Sequence, residues 1–591
     1  MAFTSTPTGR LPIGTPNVSA LKRLLPFLTW MRSYRRSDLG GDLLAGLIVA
    51  VMLVPQAMAY AMLAGLPPRT GLYASIVPLI IYGFLGSSRV LSVGPVAIDS
   101  LLVAAALAPF AATGSPEYAR LALTLALLVG IIQLLMGVLR LGFVVNFISQ
   151  PVLVGFTNAA ALVIALSQFK HLLGIAIPSS EQFHQQVWLL LSHLKEINWV
   201  TAGISAASIT LLLFFRGLLG TLLGRWGLSS AWSMTITRGA PLLVVLLGTL
   251  LVKILHLDGG AGVRIVGEVP AGLPGLTLPT LDVGTVRALL PSALAIAAVA
   301  YMEAISTAKS LARKRRETID SDQELVALGA ANLGAAFTGA YPVTGGLSRS
   351  AVNYSAGANS GVASMVTAGL VALTVLFLTP LFYSLPNAVL ASIIIVAVTN
   401  LFDWATVLHV WRYGWADFAA LAITFLAVLA MGVANGILVG AALSLLLYLW
   451  RTSKPHIAVV GRVGTSEHYR NVLRFQATTW PDVVLLRIDE SLYFANAGCL
   501  ADAIMAQALD HAGVAHVVLI ASAINDVDVS ALDMLTTVAQ DLKRMGIQLH
   551  LTDVKGPVMD RLACGGFVEQ LGRAHFHLSA HEAMQALGRV N

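Results

Sequence analysis

Between Leu325 and Phe402 the chain carries one charged residue, Arg349. A guanidinium stays protonated and presents its donors in a planar fork, so its natural chemistry is to hold an anion. Arg349 stands in Tyr341-Pro342-Val343-Thr344-Gly345-Gly346-Leu347-Ser348-Arg349-Ser350, just past two glycines where a new helix would start. A helix start offers unpaired N–H groups and about half a positive charge. A second break of this kind, Ser92-Val93-Gly94-Pro95-Val96-Ala97, lies upstream. Two facing starts, at Val96 and Ala97 and at Leu347 and Ser348, together with Arg349 sum to about +2. That charge suits a dianion better than a monoanion. The competing explanations are an arginine whose head snorkels from a span's end, and Gly and Pro that merely kink ordinary spans.

Other residues fit the same chemistry. Glu303 is the sole acid between Asp282 and Glu317 and is surrounded by alanines. Such desolvation favours its neutral form, so the expectation is that Glu303 must be protonated before a dianion binds, coupling the anion to a proton. A purely structural acid, neutralised by Arg349 or hydrogen-bonded by Thr307, is the alternative. Gln56 and Tyr60 are one helical turn apart and share a face. An amide N–H and a phenol O–H are neutral donors suited to oxyanions, and equally suited to bridging helices. Asp99, four residues past the first break, is given no role. His171, His193, His256 and His409 make no metal-ligand spacing, and no nucleophile–base pattern occurs, so neither cofactor nor enzyme is expected.

Composition says what scaffold positions these groups. The 591 residues are 57% hydrophobic and 11% charged, with mean hydropathy +0.78. Soluble domains carry about 25% charged residues, so this is a polytopic α-helical membrane protein. A span needs about 20 apolar residues. Candidates fall near 42–64, 71–86, 90–110, 120–139, 146–169, 200–223, 239–256, 287–308, 322–341, 342–357, 361–379, 385–402, 415–433 and 435–451. The two breaks are the third and tenth of these, seven spans apart, as expected where two inverted repeats meet at a transport site.

Lys22, Arg23, Arg32, Arg35 and Arg36 before the first span place the N-terminus in the cytoplasm. Arg140, then Arg216, Arg225 and Arg238, then Arg313 to Arg316, then Arg412, then Arg451 and Lys454 follow even-numbered spans, which keeps the parity. The first twenty residues, rich in Pro, Thr and Gly, read as a disordered tail rather than a cleaved leader. Cys499 and Cys564 are the only cysteines and imply no disulfide framework. From Pro455 onward the chain is acidic, with strands and helices alternating: Val483–Ile488, 498–511, Val514–Ile520, Ser530–Met545, Ile547–Leu551 and Pro557–Ala563. That is an α/β domain. The resulting division is an N-terminal segment 1–37, a transmembrane part 38–454 and a soluble part 455–591.

With these residues assembled, the chain resembles the SulP sulfate permease family. Val54–Tyr73, VPQAMAYAMLAGLPPRTGLY, is similar to the family's signature, and SVGPVA at 92–97, YMEAISTAKSLA around Glu303 and PVTGGLSRSAVN at 342–353 also match. The soluble part resembles the STAS domain that these permeases carry. The resemblance implies about 14 spans in a seven-plus-seven inverted repeat, with core and gate domains and a homodimer. It implies elevator-like alternating access, a small inorganic oxyanion as substrate with sulfate favoured, and the bacterial inner (plasma) membrane as the location. It also implies roles for Gln56, Tyr60, Ser348 and Arg349 at the anion, and for Glu303 in proton coupling. Sodium-coupled or exchange carriers of bicarbonate or dicarboxylates, and an anion sensor signalling through the STAS domain, are the alternatives. No nucleic-acid motif is present, and the STAS partner is left open. Phosphoregulated STAS proteins carry Asp-Ser-Ser-Gly; here the run is Asp528-Val529-Ser530-Ala531, so Ser530 reads as a helix N-cap.

Overall fold

A computed structural model describes residues 25–144, 149–177, 183–219, 237, 239–510 and 513–590. The anticipated N-terminal tail lies outside them, as do Lys22, Arg23, Arg225 and Arg238 of the orienting basic residues. The chain divides into two compact units, one running to Ser444 and the other starting at Leu445.

The first unit is a succession of apolar helices. They are α1 Arg36–Leu63, α2 Val77–Leu85, α3 Ala97–Leu107, α4 Pro116–Val138, α5 Gln150–Leu172, α6 Trp199–Phe214 and α7 Ala240–Leu255. After a long connection come α8 Val283–Arg315, α9 Ser321–Phe337, α10 Leu347–Ser355, α11 Val362–Leu373, α12 Asn387–Val398, α13 Trp415–Met431 and α14 Val433–Ser453, the last of which continues beyond Ser444 into the second unit's share of the chain. Each of the fourteen expected segments meets one of these helices. Among the described residues, seven helices are long and apolar enough to cross a membrane. Of the shorter ones, α3 and α10 start only after Gly94-Pro95 and Gly345-Gly346.

Packing obeys the same seven-span offset. Helix α4 packs on α8 and α9, and its counterpart α11 packs on α1 and α2. Helix α5 packs on α13, as α12 packs on α6. Two groups of helices result: α1 to α4 with α8 to α11, and α5 to α7 with α12 and α13. The first group is held tightly by small residues. A Cβ on Gly130 of α4 would lie 2.8 Å from Leu333 N, and one on Gly329 of α9 would lie 2.6 Å from Leu134 N. Backbone approach of this kind is how helices gain contact in a solvent as apolar as themselves.

The second unit is a six-stranded sheet flanked by helices. Its strands are β3 Ile457–Arg462, β4 Tyr469–Asn471, β5 Val483–Ile488, β6 His516–Ile520, β7 Gln548–Thr552 and β8 Phe576–His577, in the order β4-β3-β5-β6-β7-β8. Strands β5 to β8 are parallel and β3 runs antiparallel to β5. Helix α15 Ala497–Asp510 and helix α16 Val529–Arg544 bury Leu500, Ile504, Leu535, Val538 and Leu542 against the sheet. One expectation is corrected here. The N-cap of α16 is Asp528, whose carboxylate accepts from Ala531 N at 2.8 Å, and Ser530 lies exposed inside the first turn. The helix starts one residue earlier than the sequence reading placed it, and a carboxylate there also complements the helix dipole.

Candidate anion-binding site

The two interrupted segments meet. Val93–Gly94 (β1) and Thr344–Gly345 (β2) form a two-residue antiparallel ribbon, with Val93 opposite Gly345 and Gly94 opposite Thr344. Backbone groups freed by Gly and Pro are thereby paired inside the protein, which is the condition for tolerating them at membrane depth. Side chains complete the pairing. Gly346 N donates to Ser92 O at 3.0 Å, and Ser92 N donates to Ser350 Oγ at 2.9 Å. Asn332 on α9 bonds both backbone groups of Val343, and its Nδ2 also donates to Gln133 Oε1 at 2.9 Å.

From this ribbon α3 and α10 start, with Val96 and Gly346 as their N-caps. Neither start is capped by a side chain, so their first N–H groups remain available to a ligand. Arg349, in the first turn of α10, is 2% exposed. Its Nη1 donates to Pro95 O at 2.6 Å, and this anchors the guanidinium across the gap between the two half-helices. Its Nε and Nη2 are buried and have no hydrogen-bond partner. The glycines make room for it: a Cβ on Gly346 would sit 2.8 Å from Nη2, and one on Gly94 3.4 Å from the same atom.

A cavity of about 590 Å³ opens beside this arginine. All eight residues singled out in the sequence, Gln56, Tyr60, Val96, Ala97, Glu303, Leu347, Ser348 and Arg349, line it. Gln56 and Tyr60 arrive on α1 and Glu303 on α8. Glu303 makes no ion pair with Arg349 and no hydrogen bond with Thr307 among the described residues, and its Oε2 is buried without a partner. Asp99 is fully buried on α3 with neither carboxyl oxygen bonded, and it lies outside the lining. Among the described residues no cluster of metal-ligating side chains occurs.

The far wall comes from the other helix group, and sequence reasoning missed it. Arg216, at the end of α6, and Asn400, past α12, both line the cavity. Arg216 donates to Asn400 Oδ1 and, at 3.2 Å, to Thr399 Oγ1. Its charge had served only to orient the spans. Its place on the wall depends on α6 packing against α12, which nothing local in the sequence announces.

Buried donors beside a cavity, with Glu303 as the one acid lining it among the described residues, have the chemistry to receive an anion. Comparison with known proteins identifies the family. The profile of the sulfate permease family matches residues 39–424, and that of the STAS domain matches residues 474–583. The chain is 37% identical over 580 residues to Sulfate transporter 4.1, chloroplastic, of Arabidopsis thaliana, covering 96% of this chain and 83% of that one. It is 36% identical to a protein of Mycobacterium tuberculosis named as a probable sulfate transporter, over 95% and 98% of the two chains. Its fold superposes on murine Solute Carrier 26 family member A9, an anion transporter, with TM-score 0.88 at 26% identity over 98% and 96% of the chains. The transmembrane domain of the cyanobacterial bicarbonate transporter BicA shares the fold at TM-score 0.59 and 21% identity, over 70% of this chain and 98% of that one. The chain therefore belongs to the sulfate permease family, multi-pass membrane transporters of anions, and carries that family's C-terminal STAS domain.

Proposed function

We propose that the protein takes up sulfate, or an oxyanion of the same charge and shape, together with protons. The transport domain runs over 38–454 and the STAS domain over 455–591. The observation that carries this reading is the fully buried guanidinium of Arg349, with two unpartnered donors, set between two uncapped helix starts. Ser348 and the N–H groups near Val96, Ala97 and Leu347 complete the anion's hydrogen bonds, and Gln56 and Tyr60 add neutral donors from α1. Binding a desolvated dianion to about two positive charges leaves no room for a further negative one, so Glu303 must carry a proton when the anion is bound. The named sulfate transporters among the relatives favour sulfate.

The helix group that holds the half-helices acts as the core and the other as the gate, and the core moves against the gate to expose the site to each side in turn. The cavity adjoins the ends of α6 and α12 and the start of α7. With the N-terminus in the cytoplasm these ends face inward, so this conformation is inward-facing, as is the murine relative it superposes on. The working unit is a homodimer in the plasma membrane, with both termini cytoplasmic.

The test is uptake of labelled sulfate into proteoliposomes under an imposed pH gradient, with sodium present or replaced. A proton symporter accumulates sulfate and ignores sodium replacement at fixed pH. Dependence on sodium would establish the sodium-coupled reading instead, and binding without accumulation would identify a sensor. Glu303→Gln is expected to abolish accumulation driven by the pH gradient while retaining bound sulfate. If that variant still concentrates sulfate on the gradient, the proton is carried elsewhere.

A further inference from the structure

Asp99 occupies the first turn of α3, is fully buried, and has no hydrogen-bond partner at either carboxyl oxygen. Other buried acids of this unit are held differently. Glu324 accepts from Tyr82, Ser87 and Ser88, and Asp42 accepts from Asn359 and Ser360. Those two carboxyls tie helices and loops together; Asp99 ties nothing. Its surroundings place it beside Glu303. Helix α3 packs on α8. Tyr341 Oη lies 3.1 Å from Ser100 Oγ, and Thr344 Oγ1 donates to Ala300 O at 2.5 Å, one turn before Glu303. The stretch from Tyr341 to Thr344 therefore joins the first turn of α3 to the turn of α8 that carries Glu303. The two carboxyls lie within electrostatic reach of each other.

The start of α3 can serve one anion at a time. A carboxylate in a helix's first turn takes up the roughly half positive charge found there. A sulfate in the proposed site would use the same end, since Val96 and Ala97 line the cavity. An ionised Asp99 and a bound dianion therefore exclude each other, and Asp99 must be neutral when sulfate is present. Glu303 stands in the same relation to Arg349, whose Nε and Nη2 can meet a carboxylate or a sulfate. Among the described residues, Arg349, Tyr60 and Tyr341 are the other titratable groups facing this pair.

We infer that Asp99 is a second coupling carboxyl, so that two protons travel with each sulfate. Each carboxylate takes a proton from the face at which sulfate enters and returns it to the face at which sulfate leaves. Two protons accompany one dianion, and no net charge crosses. Arg349 with a dianion and two neutral carboxyls carries one net negative charge; Arg349 with two carboxylates carries the same. The carrier thus makes both journeys at equal charge. The inference rests on the reading of proton-coupled uptake at Arg349 and adds the proton count.

The test uses proteoliposomes bearing the full chain, with labelled sulfate inside and the membrane potential set by potassium and valinomycin. The quantity read is the pH gradient at which net sulfate flux stops. In the parent, each pH unit should balance about a hundredfold sulfate gradient, whatever the potential. Asp99→Asn should balance about a tenfold gradient, and its balance point should move with the potential, because one net negative charge then travels. Sulfate binding to the purified proteins reads the same count without transport. At alkaline pH, log Kd should climb with a slope of about two in the parent and about one in Asp99→Asn. A parent that balances only tenfold per pH unit overturns the inference, as does an Asp99→Asn protein that keeps the parent's balance or slope. A parent whose sulfate flux ignores the pH gradient altogether sinks proton coupling itself, and Glu303's part with it.

Discussion

Asn332 binds Val343 as a neighbouring strand would: Val343 N donates to its Oδ1 at 2.8 Å and its Nδ2 donates to Val343 O at 3.1 Å. One side chain on an unbroken helix thus stands in for the missing partner of an interrupted one. The residue touches no ligand, yet it fixes the height at which α10 begins and therefore the position of Ser348 and Arg349.

Replacing it should show this. Asn332→Leu keeps the volume but leaves both backbone groups of Val343 and Gln133 Oε1 unpaired. Buried groups stranded in this way cost about 1–3 kcal/mol each. The expected outcome is a lower unfolding temperature in detergent and weakened sulfate binding, measured by calorimetry on the purified protein. Parent-like stability and affinity together would show that the ribbon does not depend on this amide.

Gly346 offers a cleaner probe of the guanidinium itself. In Gly346→Ala the new methyl would fall 2.8 Å from Arg349 Nη2 and 2.9 Å from Cζ. These are the far end of a flexible side chain, so the arginine turns aside rather than the helix unfolding. Sulfate affinity should fall about tenfold, equivalent to roughly 1.4 kcal/mol, with little change in melting temperature. An unaltered dissociation constant would mean that the guanidinium's observed pose is not the one that binds.

The soluble unit carries its own pH dependence. His516 Nδ1 lies 3.2 Å from His550 Nε2, and His550 Nδ1 lies 3.3 Å from His577 Nε2, across three parallel strands. Burial, reinforced by His575, His516 and His577, holds the His550 imidazole down at about 3. An unfolded histidine titrates near about 6.5. The folded value is the lower one, so the unfolded chain binds more protons at acid pH, and stability is full above pH 6.5 and falls as pH drops toward 3. Hydrogen exchange of β6 and β7 in the full chain, corrected for intrinsic rates, should lose protection on acidification. His550→Gln should flatten that loss. Equal slopes in parent and variant would assign the effect to other groups.

How much of this was legible in the sequence depends on the range of the interaction. The fourteen helices were readable because apolar length is a local property, and β5 falls on Val483–Ile488 as expected from its run of aliphatic residues. The candidate site was readable for a related reason: charges and helix breaks are so costly in an apolar solvent that few explanations remain for Arg349. The signals failed where partners are distant. Asn332 looked like any polar residue on a helix, since Val343 reaches it only by the chain's turn after α9. Arg216 was visible as a charge but not as a wall of the cavity. Ser530 was read as the cap, whereas Asp528 holds that place; both residue types suit it, and only the actual start of α16 separates them.

The ribbon joining β1 to β2 has one more implication. Because backbone bonds span it, the cradle keeps its shape whether laden or vacant, and what differs between those conditions is electrical. A vacant cradle retains the guanidinium of Arg349, with Glu303 the one acid lining the same cavity among the described residues, and a charge without a counter-charge is expensive in an apolar medium. Under the core-and-gate motion proposed above, an ionised Glu303 would be the substitute counter-charge on the empty return, and tightness against slippage would follow from rigidity at four residues.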